Sequence, residues 1–347
     1  MLSDLRLRDF RCFDNATVEL DAGFNLFLGR NGEGKTSILE AACVLLRLQS
    51  QRSSSLAPAI RIGQNSFGLQ GNVDGHVLNV RCSRFRRSVT FDGIEQRTLR
   101  EYLRMARVVS FANSDIELVR GRSEWRRRYL DFIGAQMDER YRPALRAYER
   151  ALRGRNALLK RGSVRELAAF DQQLITHGTM VEQLRARIAG MVAAPAAEAY
   201  AHISGGRETL AVNFIPGYAG NFDEELARSR PDELRLRQTI VGPHRDDLEL
   251  TIDGMAAARF ASEGQQRSSV LALKLAQANV FAQTHGSAPL LLIDDIFGEL
   301  DTQRRNGLLD HLPAQGQKLV TATAMEWRGK LDAPFVYELR GRQLMRR

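Results

Sequence analysis

Apolar and polar positions divide the chain into two ends that alternate strands with helices and a middle that is helical. Short apolar or alternating runs, bounded by turn signals such as Asp74-Gly75 and Asp92-Gly93, predict the strands. The predicted strands cover residues 5–10, 16–20, 24–28, 67–73, 76–82, 87–91, 108–111, 209–215, 248–252, 289–293 and 318–322. Residues 49–66, rich in Ser, Gln, Pro and Gly, predict a loop.

Apolar residues recur at helical spacing from about residue 123 to residue 200, and shorter stretches at 35–48, 264–284 and from 302 show the same pattern. We expect two or three helices in the long stretch, interrupted at Gly154, Gly162 and Gly178. The pattern predicts an α/β fold with a nucleotide-type core. Residues 1–120 and 240–347 would form this core, and residues 121–239 a mostly helical lobe.

Composition excludes several classes of protein. No apolar run approaches the roughly 18 residues that span a bilayer. The first residues, MLSDLRLRDF, alternate charged and apolar side chains and do not resemble a signal peptide. Cys12, Cys43 and Cys82 are widely spaced, which argues against a disulfide framework or a zinc site. We therefore expect a cytoplasmic protein with no membrane association.

Positive charge is concentrated in one part of the 347-residue chain. The formal net charge is +9, but residues 81–165 hold 21 Arg and one Lys against ten acids. Such a segment forms either a solvated helical face or a phosphate-binding surface. Only five lysines are present, and a genome biased toward arginine would give this low number. Lys35 is the only lysine before residue 160. Position 35 therefore favours an ammonium over a guanidinium group.

Residues 29–36 match the phosphate-loop pattern G-x-x-x-x-G-K-[ST] in full, between a predicted strand and a predicted helix. The eight residues are Gly29, Arg30, Asn31, Gly32, Glu33, Gly34, Lys35 and Thr36. Glycines allow the backbone to fold around phosphate oxygens, and the helix N-terminus favours an anion. We expect Lys35 to reach the β- and γ-phosphates of ATP and Thr36 to bind Mg²⁺.

A second motif, LLLIDD at 290–295, is an apolar strand that ends in two carboxylates, as in a Walker B motif. We expect Asp294 to hold Mg²⁺ and Asp295 to act as the base for the attacking water. The motif lies more than 250 residues after the phosphate loop. Compact P-loop kinases and GTPases place it much sooner, so the spacing indicates a large insertion.

Two weaker motifs flank the Walker B strand. Residues 262–266, SEGQQ, are an ordinary helix cap or the signature segment of an ABC-type ATPase. In such enzymes Ser262 and Gly264 would contact the γ-phosphate of ATP bound by a second subunit. Residues 298–301, GELD, are an ordinary helix start or a D-loop with Asp301 at the dimer interface. The ABC-type interpretation predicts a homodimer around two ATP molecules.

With these motifs in this order, the chain resembles the RecF family of bacterial SMC-like ATPases from end to end. The segments that carry the resemblance are LRLRDFRCF at 5–13, GRNGEGKTSILEA at 29–41, RRRYLDF at 126–132, RNALLK at 155–160, GPHRDDLEL at 242–250, SEGQQ at 262–266 and LLLIDDIFGELD at 290–301. The resemblance implies an ABC-type head with a compact helical second lobe and no long coiled coil.

The resemblance also implies a function. Members of the family bind ATP, dimerise on it, bind DNA and hydrolyse ATP slowly. They work with RecR and RecO to load recombinase at single-strand gaps, and they support replication restart and SOS induction. His244 and Arg245 would lie near the nucleotide interface, although a buried structural role for His244 fits equally.

Three positions depart from the broader ABC pattern. The chain reads Thr321-Ala322-Thr323 at the end of the strand after which many ABC ATPases carry a switch histidine, and residues 110–115 contain no Q-loop glutamine. Asp295 is one methylene shorter than the usual glutamate. We therefore expect slow hydrolysis, with ATP acting as a switch for dimerisation.

The basic segment supplies the candidates for contact with single-stranded DNA and with gapped or duplex junctions. They are Arg84, Arg86, Arg87, Arg126, Arg127 and Arg128. Few aromatic residues interleave with them, which predicts phosphate contact with little sequence specificity. Alternatively, RRRYLD pairs with acids inside the helical lobe.

Two other functions compete with this interpretation. An ABC transporter ATPase subunit shares the phosphate loop, signature and Walker B motifs, but it usually has a recognisable Q-loop and switch histidine. A metabolic P-loop kinase needs no signature segment and has closely spaced motifs.

Overall fold

The computed structural model describes residues 1–53, 55–324 and 335–347. The strands are β1 (Leu2–Phe10), β2 (Phe13–Glu19), β3 (Phe24–Leu28), β4 (Ser66–Val73), β5 (His76–Ser83), β6 (Arg87–Phe91), β7 (Ile94–Glu95), β8 (Val108–Ala112), β9 (Leu210–Ile215), β10 (Asp247–Ile252), β11 (Met255–Ala256), β12 (Leu290–Asp294), β13 (Lys318–Ala322), β14 (Phe335–Arg340) and β15 (Gln343–Arg346). The helices are α1 (Lys35–Arg47), α2 (Arg100–Arg104), α3 (Glu117–Arg120), α4 (Ser123–Met137), α5 (Tyr141–Arg161), α6 (Leu167–Ser204), α7 (Phe222–Arg228), α8 (Arg230–Leu236), α9 (Ala257–Phe260), α10 (Glu263–His285) and α11 (Thr302–His311).

These elements form two compact units. The first comprises residues 1–114 and 281–347, and the second comprises residues 115–280. The first unit holds an antiparallel sheet of order β2-β1-β4-β5-β6-β7 and a mainly parallel sheet of order β15-β14-β3-β13-β12-β8. The second unit holds a three-stranded antiparallel sheet of order β11-β10-β9.

Helix α1 is the core element of the first unit. It packs against β8, β12 and β13 of the parallel sheet and against β1, β4 and β5 of the antiparallel sheet. Apolar residues therefore surround most of the helix, from Ile38 to Leu46, and almost all of its residues are buried. Because both sheets clamp α1, its N-terminus has a fixed position at the carboxyl edge of the parallel sheet.

The second unit is built on α4, α5 and the 38-residue α6. Ion pairs are buried between its elements: Arg155 contacts Glu233 at 2.6 Å and Asp171 at 2.7 Å, and neither Arg155 nor Glu233 is exposed. Arg185 contacts Asp131 at 2.8 Å and Asp246 at 2.9 Å. Removing one partner of such a pair leaves an uncompensated buried charge, so these contacts constrain how the helices pack.

The expected interruptions of the long helical stretch are only partly correct. Gly162 ends α5 with φ 72°, as predicted. Gly154 and Gly178 instead lie inside α5 and α6, so the prediction of breaks there is wrong. A Cβ at Gly154 would overlap Phe170 Cε1, and one at Gly178 would lie 2.7 Å from Phe222 Cε1. These glycines allow aromatic rings to approach the helix backbone.

The predicted strands agree with the observed ones to within a few residues, but the two-residue strands β7 and β11 and the C-terminal strands β14 and β15 were not predicted. The observed units also differ from the expected domains 1–120, 121–239 and 240–347. Strand β10 pairs with β9 from Asp247 to Ile252, so residues 240–280 belong with the helical unit. No helix among the described residues is long and apolar enough to cross a membrane.

Candidate nucleotide-binding site

The phosphate loop connects the buried strand β3 to the N-terminus of α1. Gly34 precedes the helix with φ 104°, a conformation that favours glycine. A Cβ at Gly34 would lie 2.7 Å from Cys12 Sγ and 2.8 Å from Phe13 Cζ, so the position is also sterically closed. Gly29 is crowded as well, since its Cβ would lie 2.9 Å from the carbonyl oxygen of Leu339.

Two side chains of the loop hold its curvature. The Lys35 ammonium group donates hydrogen bonds to the carbonyl oxygens of Gly29 at 2.6 Å and Arg30 at 3.1 Å. Glu33 Oε2 accepts a hydrogen bond from the backbone N–H of Arg30 at 2.8 Å. The ammonium group is therefore held across the mouth of the loop, where a phosphate group would be bound.

The structure brings the two predicted cation ligands together. The Thr36 hydroxyl donates to Asp294 Oδ1 at 2.8 Å, and the Thr321 hydroxyl donates to the same oxygen at 2.8 Å. This follows from the topology, because β3, β13 and β12 run parallel and end at one edge of the sheet. A hydroxyl and a carboxylate are the hard oxygen ligands that Mg²⁺ prefers, so the donor set fits this ion.

Asp295 follows β12 with φ 52°, and its backbone N–H donates to the carbonyl oxygen of Thr321 at 3.2 Å. Burial raises the pKa of its carboxyl group; the nearby Lys35 ammonium lowers this pKa and the Asp294 carboxylate raises it. The net shift is upward. A carboxylate whose pKa is raised accepts a proton more readily, which suits a general base.

A cavity of about 610 Å³ opens over the loop, a volume within the range of small-molecule sites. Four arginines that the motif analysis missed line it: Arg11, Arg52, Arg61 and Arg342. Arg11 is held by Glu40 at 2.6 Å and Arg61 by Asp9 at 2.9 Å. A sequence signal existed only for Arg11, which lies in the LRLRDFRCF segment; Arg52, Arg61 and Arg342 belong to no motif.

The signature segment lies in the second unit, at the N-terminus of α10. The Gln265 backbone N–H donates to Ser262 Oγ at 3.3 Å, and the Ser262 backbone N–H donates to Gln265 Oε1 at 2.6 Å. This reciprocal pair is a capping box, which is the ordinary alternative for this motif. Ser262 is also exposed and Gly264 is half-buried. The segment is thus both a cap and an accessible surface.

Asp301 caps α11 by accepting the Arg304 backbone N–H at 2.9 Å, and it also forms an ion pair with the Arg304 side chain. These contacts lower the pKa of its carboxyl group. At the end of β8, where the sequence has no Q-loop glutamine, the Asn113 amide donates to Glu299 Oε1 at 2.7 Å.

His244 lies within the helical unit. Its Nδ1 contacts the Tyr148 hydroxyl at 2.7 Å and its Nε2 contacts the Thr239 carbonyl oxygen at 3.1 Å. Burial lowers the pKa of His244 to about 4. Both ring nitrogens are therefore engaged inside the unit, which supports the structural alternative for this residue. Arg245, the next residue, is exposed.

The candidate DNA-contacting arginines fall into two groups. In the first, Arg126 forms a two-bonded pair with Asp247 at 2.6 and 2.9 Å, and Arg127 donates to the Asp246 carbonyl oxygen at 2.9 Å. Arg126 thus follows the alternative of pairing with an acid inside the helical unit, whereas Arg127 is held there by a backbone carbonyl oxygen. Arg128 is half exposed and pairs with Glu124 at 2.5 Å. The second group, Arg84, Arg86 and Arg87, is exposed around the β5–β6 turn.

Comparison with known proteins agrees with this geometry. An AAA domain family matches residues 4–126. The RecF DNA replication and repair protein of Synechococcus sp. (strain JA-2-3B'a(2-13)) is 35% identical over 99% of this chain and 97% of its own. That of Nostoc punctiforme is 36% identical over 96% of this chain and 95% of its own.

Solved structures show the fold. The recombination mediator protein RecF-ATPrS of the RecFOR pathway matches with a TM-score of 0.89 and 24% identity, over 100% of this chain and 98% of that one. The Smc head domain of Pyrococcus furiosus matches with a TM-score of 0.55 and 17% identity, over 99% of this chain and 95% of that one. The fold is therefore the SMC-like, ABC-type ATPase head. From these full-length similarities, the chain belongs to the RecF family of DNA replication and repair proteins.

Proposed function

We propose that this protein is an ATP-switched DNA-binding protein of replication and recombinational repair. ATP with Mg²⁺ binds at the phosphate loop and drives formation of a homodimer, and the dimer binds DNA at single-strand gaps. The observation that carries the proposal is the pair Thr36 and Asp294, whose oxygens lie 2.8 Å apart beside the loop. A complete Walker A and Walker B arrangement is of little use without a nucleoside triphosphate and its cation.

Each group at this site has a defined part. The backbone N–H groups from Gly32 to Thr36 and the Lys35 ammonium bind the β- and γ-phosphates. Thr36 and Asp294 hold Mg²⁺, which neutralises charge on the phosphate oxygens. Thr321 orients the Asp294 carboxylate through its hydroxyl. Asp295 orients the attacking water and accepts its proton.

The dimer rests on the signature segment. Ser262 is exposed at the start of the 23-residue α10, where backbone N–H groups and the helix dipole favour an anion. In the proposed dimer, Ser262 and Gly264 contact the γ-phosphate of ATP bound by the partner subunit, and Asp301 lies at the same interface. ADP lacks the γ-phosphate and does not support this contact.

Slow turnover is part of the proposal. Thr321, in the segment Thr321-Ala322-Thr323 that has no switch histidine, is fully buried and hydrogen-bonded to Asp294, so its side chain serves the proposed cation ligand. Asp295 is shorter than a glutamate base. Hydrolysis is therefore slow, and its role is to return the ATP-bound dimer to monomers. Loading of recombinase with RecR and RecO, and support of SOS induction, follow from the RecF family as further parts of the proposal.

The test is static light scattering of the full chain with ATP·Mg²⁺, with ADP·Mg²⁺ and without nucleotide. We expect a dimer with ATP alone in the wild type, and a monomer in Lys35→Met and in Ser262→Arg. Lys160→Met and Ser287→Arg make the same chemical changes at exposed positions elsewhere and should dimerise as the wild type does.

DNA binding is then measured on each species by fluorescence anisotropy. A monomer under every condition, or a dimer that survives Ser262→Arg, would contradict the switch across the interface. An ATP-dependent dimer with no affinity for DNA would contradict the proposed repair function.

A further inference from the structure

The outer face of the six-stranded antiparallel sheet carries an open groove of about 440 Å³. Its polar lining consists mainly of arginine and amide side chains from β1, β2, β4 and β5. The principal ones are Arg6, Arg8, Asn15, Gln70, Asn79 and Arg81. No described residue that lines the groove is acidic. The groove is therefore positively charged and rich in hydrogen-bond donors, and the carboxylates next to it, Asp4 and Glu95, contact Arg6 at 3.9 Å and Ser88 at 2.9 Å from outside its lining.

Strand register spreads these charges along the groove. Arg8 pairs with Gly68, and Gly68 pairs with Arg81 on the next strand. Strands lie about 4.8 Å apart, so the two arginines stand about 10 Å from each other across the glycine. A Cβ at Gly68 would meet only Arg8 Cβ, at 3.9 Å, so the floor between them is open. Charges at this separation suit a polyanion better than one small anion.

The groove runs toward the turn between β5 and β6, here called the 84–87 tip (Arg84, Phe85, Arg86 and Arg87). Phe85 is 98% exposed between arginines. Hydrogen bonds close the turn: Ser83 N–H donates to the Arg86 carbonyl oxygen at 2.8 Å, and Arg86 N–H donates to Ser83 Oγ at 3.0 Å. The phenyl ring thus projects into solvent from a hydrogen-bonded turn.

We propose that this face binds DNA that has unpaired bases: the groove arginines contact backbone phosphates, and Phe85 stacks on one exposed base. The inference rests on the proposed DNA-binding function and assigns its location. A base inside a duplex is already stacked on both faces, so Phe85 reaches only a base in a single strand or at a duplex end. The surface therefore favours the gapped substrate over continuous duplex.

Charge and isolation favour nucleic acid over a protein partner. Phe85 lies between Arg84 and Arg86 in the turn, and the carboxylate of Glu95 pairs with Arg86 at 3.5 Å and accepts from Ser88 at 2.9 Å. An anchor for another protein would be expected in a wider apolar patch. A nucleic acid supplies phosphates for the arginines and a π-face for the ring, which is the arrangement of single-strand binding surfaces.

The test measures fluorescence anisotropy of the full chain with ATP·Mg²⁺ on three labelled probes of equal length. They are a mixed-sequence single strand, an abasic single strand and a blunt duplex. We expect Phe85→Ala to weaken binding of the mixed-sequence strand about tenfold and to leave the abasic strand unchanged. Phe85→Trp should retain the preference for bases. Arg8→Ala and Arg81→Ala should weaken all probes and reduce the salt dependence by about one unit each.

Matched controls are Ile94→Ala, which truncates another exposed apolar residue of the same sheet, and Arg235→Ala, which removes an exposed arginine of the other unit. If the wild type binds no probe, the proposed function itself is wrong. If the wild type binds but Phe85→Ala, Arg8→Ala and Arg81→Ala bind equally well, only the location on this face is wrong. Loss of binding to the abasic strand in Phe85→Ala would overturn the stacking role.

Discussion

Two glycines of α6 allow the packing of the helical unit to be tested with a single kind of substitution. Gly178 is buried inside the helix, and Gly190, three turns further along, is exposed. Replacing either with alanine gives the helix the same gain in backbone propensity, about 1 kcal/mol. Any difference between Gly178→Ala and Gly190→Ala therefore reports what surrounds the new methyl group.

The surroundings differ sharply. At Gly190 nothing lies within 4 Å of the new Cβ. At Gly178 the Cβ would lie 2.7 Å from Phe222 Cε1 and 3.1 Å from Tyr148 Cε2. Neither ring can move easily, because Phe222 stacks on Tyr218 at 4.7 Å and the Tyr148 hydroxyl is bound to His244. Such overpacking costs about 1–3 kcal/mol.

We expect Gly190→Ala to raise the free energy of unfolding by about 1 kcal/mol. Gly178→Ala should be about 1–3 kcal/mol less stable than Gly190→Ala, because only the packing cost separates them. Urea unfolding followed by far-UV circular dichroism measures both. Equal stabilisation by the two substitutions would refute the close packing of Phe222 and Tyr148 against the helix backbone.

Three further predictions concern charged groups. Asp295→Asn should lower the steady-state rate of ATP hydrolysis at least about 100-fold and leave the ATP-dependent dimer intact in light scattering. Folding lowers the pKa of His244 to about 4, so the neutral ring stabilises the folded state above pH ~6.5. Urea titrations should show this stability falling by up to roughly 3 kcal/mol between pH 6.5 and 4 in the wild type, and less in His244→Gln. Arg155→Met should cost about 3–5 kcal/mol of unfolding free energy, since it leaves Glu233 buried without its cation; a loss below 1 kcal/mol would contradict the buried pair.

The geometry of the candidate nucleotide site was predictable because its sequence signals are local. The spacing of Gly29, Gly34, Lys35 and Thr36 requires one strand, one turn and one helix, and the structure has all three. Even the meeting of Thr36 with Asp294 follows from parallel strands that end at one edge. Short-range patterns of this kind depend little on the rest of the chain.

Long-range pairing was not predictable in the same way. The arginine triplet near residue 127 gives no indication that Arg126 faces Asp247, a partner 121 residues away. The sequence likewise gives no indication that Phe85, a single aromatic among arginines, is exposed, because its exposure depends on the turn that Ser83 closes. Strand β14 was missed because Glu338 and Arg340 shorten its apolar run to three residues.

The position of β3 in its sheet has a consequence for synthesis of the protein. Both neighbours of this strand, β13 and β14, come from residues after 317, whereas residues 115–280 form a continuous unit. At about 5–20 residues per second, a ribosome needs about 15–60 s to travel from β3 to the end of β14. During that interval the helical unit can fold, but the phosphate loop has no completed sheet behind it. Competence to bind nucleotide therefore arises late, after nearly the whole of this chain has been made.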